Sequence, residues 1–267
     1  MLLNIGHTSK YRFEHPVHYG LQQLRKTPKS RSSQAIRNWT IEIEGGRIET
    51  EFTDHHANDV TLISFDPSAT EITIQCRGLV ETTDEHGVVG KQRGCIPLWL
   101  FQRSTELTRA TPNVRRLTKG LREAHDNDIA LLHALSARII DAVRYEIGQT
   151  DTATSADTAI ERGSGVCQDH AHIFIAAARA MDFPARYVSG YLMMDDRTEQ
   201  DATHAWAEAH IDGIGWVGFD ISNAMSPDDR YVRVATGLDY GEAAPISGLR
   251  FGAGSEALTV DVTVAQQ

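Results

Sequence analysis

Between Val166 and Met181 the chain is Ala-rich and largely apolar, with Gly163-Ser164-Gly165 at its near limit and Pro184 at its far one. A run of that length and composition reads as a helix without a polar face, and such a helix has to be buried on all sides. The rest of the chain must therefore supply layers around it. With 267 residues it can do so, as one large domain or two modest ones, since a domain takes roughly 100–200 residues.

The layers are of two kinds. From the start to about Asp84 the pattern is that of short alternating strands: Trp39, Ile41 and Ile43 share one parity, as do Ile72, Ile74 and Cys76. Turn chemistry separates the runs at Gly45-Gly46, at Asp54 to Asp59 and at Asp66-Pro67-Ser68, which suits an antiparallel β-sandwich. After Pro97 the period changes. Pro112 opens a short helix carrying Val114, Leu117 and Leu121, and a stronger helix from about Asp128 carries Leu132, Leu135, Ile139 and Val143. Ala156 to Arg162 makes a third, with Gly163 as its left-handed cap and a tight turn after it.

Beyond the apolar helix, strands are expected at 186–193, 203–211, 216–220, 231–234 and 258–264, with a polar loop from Asp195 to Asp201 and an Asp212-Gly213 hairpin turn. The fold class is α+β. An N-terminal antiparallel sandwich over residues 1–95 precedes a core over 96–267, in which the central Cys-bearing helix packs on an antiparallel sheet and which includes the C-terminal strands.

A formal net charge of −10 argues against a general nucleic-acid binder. The densest basic run, Arg25, Lys26, Lys29, Arg31 and Arg37, reads as a solvated loop. The N-terminal segment turns polar too early for a signal peptide, and no segment reaches the roughly 20 apolar residues of a membrane span. The chain is therefore expected in the cytoplasm and not at a membrane. Three cysteines, Cys76, Cys95 and Cys167, are too few and too scattered for a disulfide framework.

Cys167 stands apart from the other two. At the first turn of a helix, a thiolate is favoured by the positive end of the macrodipole and by free backbone N–H groups. The Gly-Ser-Gly segment before it lets backbone approach a substrate closely. Cys76, inside a sandwich strand, and Cys95, in Gly-Cys-Ile-Pro, lack that setting. On the hairpin, His204 lies on the first strand and Asp220 at the end of the second, and their midpoint falls on Asp212. The two should lie on adjacent strands within about two residues of opposite one another. A His steadied by a carboxylate is what a thiol nucleophile needs, because the carboxylate sets the ring tautomer and stabilises the imidazolium.

Other groups invite weaker readings. Asp169, His170 and His172 follow Cys167, and His210 follows His204, but the spacing lacks a zinc signature. Asp169 and His172 are expected to make buried hydrogen bonds that orient their neighbours. His55 and His56, in a turn, are expected to be solvent-exposed.

The run Gly163-Ser164-Gly165-Val166-Cys167-Gln168-Asp169-His170-Ala171-His172 resembles the nucleophile motif of bacterial transglutaminase-like proteins. Thr203-His204-Ala205-Trp206-Ala207-Glu208 and Gly215-Trp216-Val217-Gly218-Phe219-Asp220 resemble the family's His and Asp motifs, and Phe183 to Tyr191 its intervening strand. Tyr11-Arg12-Phe13 with Val17 resembles its N-terminal β domain, and 235–240 with 244–248 resemble its tail, so the likeness covers nearly the whole chain. It implies a papain-like core with Cys167 as nucleophile, His204 as general base and acid, and Asp220 as its orienter. The family's usual Pro-Thr after the Asp is replaced here by Ile221-Ser222-Asn223. Tyr145 resembles a Tyr of the bacterial family and is the candidate oxyanion donor beside the Cys167 backbone N–H, with core packing as its other reading.

The resemblance implies acyl transfer on amide bonds of a peptide or protein through a thioester, ending on water or on an amine. Hydrolysis is the favoured outcome, because no residue run identifies an amine pocket. No cofactor is implied, and no EF-hand loop or acidic cage points to calcium. Two rivals stand beside this reading: a catalytically silent binding module on the same fold, and a structural metal protein.

Overall fold

The computed structural model describes residues 1–92, 96–200, 202–252 and 254–267, so Cys95 and the end of the expected polar loop, Asp201, lie outside the described residues. In chain order the first half is β1 (Leu2–Val17), β2 (Tyr19–Leu24), β3 (Gln34–Glu44), β4 (Gly46–Thr53), β5 (Asp59–Phe65), β6 (Ala69–Thr82) and β7 (Val88–Gly90). After a 3-10 turn at Leu98–Gln102 come α1 (Pro112–Thr118), α2 (Leu121–Ala124), α3 (Asp128–Ala142), β8 (Arg144–Tyr145), α4 (Ala156–Arg162), β9 (Ser164–Gly165) and α5 (Cys167–Ala180). The remainder is β10 (Ala185–Leu192), β11 (Glu199–Gln200), β12 (His204–Ile211), β13 (Gly215–Phe219), β14 (Tyr231–Gly237), α6 (Tyr240–Ala243), β15 (Ile246–Phe251) and β16 (Glu256–Gln266).

Three antiparallel sheets carry the fold. One has the order β11-β16-β1-β6-β3, a second β15-β2-β5-β4, and the third β14-β10-β12-β13-β7. The period-2 alternation of β1 buries Leu3, Ile5, His7, Ser9, Tyr11 and Phe13 on one face. That face has two partners. Its far end, with Tyr11, Phe13, Ile72, Ile74 and Cys76, packs against Leu24, Ile63 and Phe65 of the second sheet, giving the expected sandwich. Its near end, with Leu3, Ile5 and Val80, packs against Tyr191, Val232 and Val234 of the third sheet. The long strands thus weld the sandwich to the core.

The C-terminal strands, expected within the core, are hydrogen-bonded elsewhere. β16 pairs with β1 over its length, Ile5 facing Val264 and Tyr11 facing Leu258, and β15 pairs with β2. Alternation in 258–264 signals a strand but not its neighbour, and the open edges of β1 and β2 supply one. β15 itself was not among the expected strands.

α5 is buried from Asp169 to Arg179, as its composition demands. Ala205, Ala207 and Ala209 of β12 share its core cluster with Ile173, Phe174 and Ile175 on one side, and with Val114, Leu132, Leu135 and Ile139 from α1 and α3 on the other. Each such aliphatic or aromatic side chain contributes about 1.5–3 kcal/mol on burial. Leu121 does not continue α1: Gly120, at φ 74, breaks the chain there and Leu121 opens α2.

Two further expectations are corrected. Lys26 and Lys29 are 1% and 6% exposed, not solvated. The Lys26 ammonium sits 2.8 Å from His7 Nε2 and donates to Ser9 Oγ at 2.7 Å, while Lys29 donates to the His56 carbonyl and to Thr236 Oγ1. His56 is likewise buried, its Nε2 2.7 Å from Glu242 Oε2. Hydropathy reads these residues as polar, but polar groups that find partners between packed sheets can be buried.

Candidate active site

The segment before α5 is not a free turn. Gly163 (φ 67) caps α4, and β9 then pairs in parallel with β8, so Tyr145 lies beside Gly165. A Cβ on Gly165 would come within 2.8 Å of the Asp169 carboxylate. That carboxylate closes the helix start: its Oδ2 accepts the Val166 N–H at 2.8 Å and the Thr150 hydroxyl at 2.6 Å. Cys167 follows at the first position of α5, partly buried. Cys76, by contrast, is enclosed, and burial pushes its thiol up to about 11.

On the hairpin, Ala207 faces Phe219 and Ala209 faces Val217. Continuing that register sets Asp220 opposite Trp206, which makes His204 its diagonal neighbour, as the hairpin pattern predicts. His204 Nε2 lies 2.6 Å from Asp220 Oδ2, and the ring is only 8% exposed. Cys167 is within side-chain hydrogen-bonding reach of the same ring; with Nε2 engaged, Nδ1 is the nitrogen left for the thiol. Trp206 and Tyr231 hold the ring from the sides, with centroids 6.2 and 6.0 Å away.

Burial alone would lower the His204 pKa, but hydrogen bonds to Asp220 and Cys167, together with their charges, carry it up to about 10. Asp220 is moved the other way. Burial opposes its charge, yet His204, Asn223 and Tyr231 hold it below the usual carboxylate range. Tyr231 donates its hydroxyl to Asp220 Oδ2 at 2.8 Å and Asn223 its amide at 2.7 Å.

The residues in place of the family's Pro-Thr form the wall of this site. Asp220 and Met225 exchange backbone hydrogen bonds around a tight loop, with Ala224 at φ 54. Ser222 Oγ lies 2.9 Å from His170 Nδ1, while His170 Nε2 donates to the Val143 carbonyl at 2.9 Å. Burial lowers the pKa of His170, which suits this neutral, two-ended role. His172 is held down to about 3 by burial and by Arg179, and its Nε2 accepts the Tyr240 N–H. Asp169 and His172 are thus the buried orienting groups the sequence suggests.

Tyr145 is 54% exposed, with its ring edge-on to His170 at 6.2 Å. Burial raises its pKa first, then the charges of Cys167 and Asp220. Sequence reasoning did not single out Asn223, Tyr231, Ser222 or Trp206. An Asn three residues after a strand-end Asp is an Asx-turn signal, and Trp206 shares the parity of His204; Tyr231 left no trace, because its partner is eleven residues away.

The run Cys167 to His172 does not gather as metal donors. Among the described residues, the donors that do converge are His55, His56 and Glu242, within 4.8 Å of one another.

Two family models match the chain: the bacterial transglutaminase-like N-terminal region over residues 3–81 and the transglutaminase-like superfamily core over 115–221. The chain belongs to the bacterial transglutaminase-like superfamily. The core match contains Cys167, His204 and Asp220. An uncharacterized protein of Mycobacterium leprae is 27% identical across 99% of this chain and 98% of its own length. Uncharacterized proteins of Mycobacterium bovis and Mycobacterium tuberculosis are 35% identical over 51% of the chain but only 46% of their own length, so the match spans under half of those relatives. The crystal structure of a candidate cysteine protease from Cytophaga hutchinsonii superposes with a TM-score of 0.80 at 23% identity, covering 99% of this chain and 90% of that one. The superposition fits the transglutaminase-like, papain-like fold, and family membership supports cysteine-based catalysis at the level of the family. No helix among the described residues is long and apolar enough to cross a membrane.

Proposed function

We propose that this transglutaminase-like protein performs cysteine-dependent acyl transfer on amide bonds of a peptide or protein. The observation that carries the reading is the His204 ring, held on Nε2 by Asp220 at 2.6 Å and raised in pKa by Cys167 as well as by Asp220, with Cys167 at the start of a buried helix. In this reading the thiolate attacks the amide carbon and the carbonyl electrons move onto oxygen. His204 then protonates the departing amine, leaving a thioester on Cys167. A second acceptor, water or an amine, loses its proton to His204 as it attacks and frees the thiol. The Cys167 backbone N–H, at the positive end of α5, and the Tyr145 hydroxyl are the groups proposed to receive the oxyanion.

Iodoacetamide labelling of Cys167, followed by mass spectrometry from pH 5 to 9, tests the pair. Fast labelling near pH 6 that is lost in His204→Ala is the expected result. Labelling no faster than an ordinary thiol, and unchanged in the mutant, would sink the proposal and favour a silent binding module. Release of ammonia or amine from a peptide library, with and without added amine, then distinguishes hydrolysis from transamidation; hydrolysis is the proposed outcome.

A further inference from the structure

The seam between the sandwich and the third sheet holds more positive charge than its carboxylates balance. Glu208, fully buried, is gripped by Arg186 Nε at 2.6 Å and by Arg233 Nε at 2.6 Å and Nη2 at 2.8 Å. One carboxylate is thereby shared between two buried guanidinium groups. Each still has a donor to spare: Arg186 Nη2 and Arg233 Nη1 are buried and have no hydrogen-bond partner. An orphaned buried donor is costly, and more so when it is charged. The excess reaches Lys29, which burial first and then Arg233, Arg31 and Arg186 hold down to about 6.

Beside this cluster, between the β4–β5 turn and β10, lies a cavity of about 70 Å³. On that measure a single water needs roughly 10–15 Å³, so several waters or one small ion fit. Arg31, His55, His56, Lys91 and Arg186 line it, and no carboxylate does among the described residues. Such a concavity is unexpected in a chain of net charge −10. It also argues against a cation on His55, His56 and Glu242. Arg31, Lys91 and Arg186 would face the metal, Lys29 already donates to the His56 carbonyl, and Glu242 is engaged by His56 and the Leu238 N–H.

We propose that this cavity, lined by Arg31, His55, His56, Lys91 and Arg186, binds a small oxyanion, a phosphate or a carboxylate group. Guanidinium and ammonium donors line one space, and their charge-assisted hydrogen bonds to an oxyanion are strong. The site belongs to the seam rather than to the Cys167 cleft. An anion there would be a third partner to Arg186, whose strand neighbour Glu208 lies on β12, the strand that begins at His204.

The test is calorimetric titration of the full chain with sodium phosphate, with sodium chloride adjusted to constant ionic strength. An acetylated dipeptide with a free carboxylate and its amide are run in parallel. Saturable binding of phosphate or of the free carboxylate, but not of the amide, is expected, and which of the two binds tells the source of the oxyanion. Lys91→Glu should weaken it at least tenfold. Lys91 is exposed, so this variant will fold. Arg186→Lys, which keeps a charge beside Glu208, should weaken it less, and Lys119→Glu, exposed at the C-cap of α1 and not part of the cavity lining, should leave it unchanged. Phosphate and carboxylate that bind no better than chloride, or binding weakened equally by Lys119→Glu and Lys91→Glu, would overturn the assignment.

Discussion

Among the described residues, two buried histidines meet a carboxylate at nearly the same distance, one acid enclosed and the other half-exposed. His204 meets Asp220 at 2.6 Å where the inner strands β12 and β13 of the third sheet begin and end, and His56 meets Glu242 at 2.7 Å in the seam beside the sandwich. What differs is the company. His204 has a helix-start thiol within reach of its ring, and its acid is steadied by Tyr231 and Asn223. His56 stands among Lys29, Arg31, Lys91 and Arg186, with no thiol beside it among the described residues. A His–acid contact is therefore not in itself a catalytic signature. The third partner decides whether the pair can drive nucleophilic chemistry or only fixes a turn.

The largest effect should separate the two pairs outright. Cys167→Ser should abolish thiol-dependent turnover, and His204→Ala should cut it by roughly 10²–10⁴-fold. His56→Ala should leave turnover and Cys167 labelling within about twofold while lowering stability by about 0.5–1.5 kcal/mol through the lost hydrogen bond to Glu242, which keeps the Leu238 N–H. Steady-state kinetics and urea melts on the three variants measure this. Equal losses of turnover in His56→Ala and His204→Ala would erase the distinction.

Next comes pH. A folded pKa of about 10 for His204 against 6.5 unfolded makes its contribution complete below pH 6.5 and lost as pH rises through 10. Asp220, depressed from 3.8, contributes above that value and loses it as pH falls through its folded pKa. The stability gap between wild type and His204→Ala should accordingly be widest between about pH 4 and 6.5 and shrink towards pH 10. A gap independent of pH would mean that the ring is not held as an imidazolium.

The seam should respond in the opposite sense. Lys29 is held down to about 6 against 10.5 in the unfolded chain, so the unfolded state binds the extra proton between those values. Its contribution makes stability rise with pH there by about 1.4 kcal/mol per unit. Lys29→Met should remove that slope in urea melts, and an unchanged slope would place a charged Lys29 in the seam.

The smallest effect sharpens the catalytic pair from behind. Asn223→Ala takes one donor from Asp220 Oδ2 and should cost about 1.5–3 kcal/mol, the range for a hydrogen bond to a charged group. Differential scanning calorimetry would register it as a lower Tm. No change would assign the steadying of Asp220 to His204 and Tyr231.

Much of this molecule follows from local pattern. The buried α5, the Asn127 and Ser155 caps of α3 and α4, and the Gly163 stop all depend on residues within a few positions of one another. So does the hairpin that sets His204 diagonal to Asp220, because its register is counted from one turn. That is why the candidate site was legible before any coordinates. The partners that complete it were less so: Tyr231 and His170 reach the hairpin from other elements, and no spacing along the chain encodes such a meeting.

Alternation by itself determined that 258–264 is a strand, and composition that 167–180 is a buried helix. Only tertiary structure decided that β16 closes on β1, that Lys29 and His56 lie buried in the seam, and that five basic or imidazole side chains line one cavity there. Local pattern records whether a residue can be covered by its neighbours in sequence. Whether a lysine is desolvated depends on what packs over it from a distance, and that is settled only when the sheets come together.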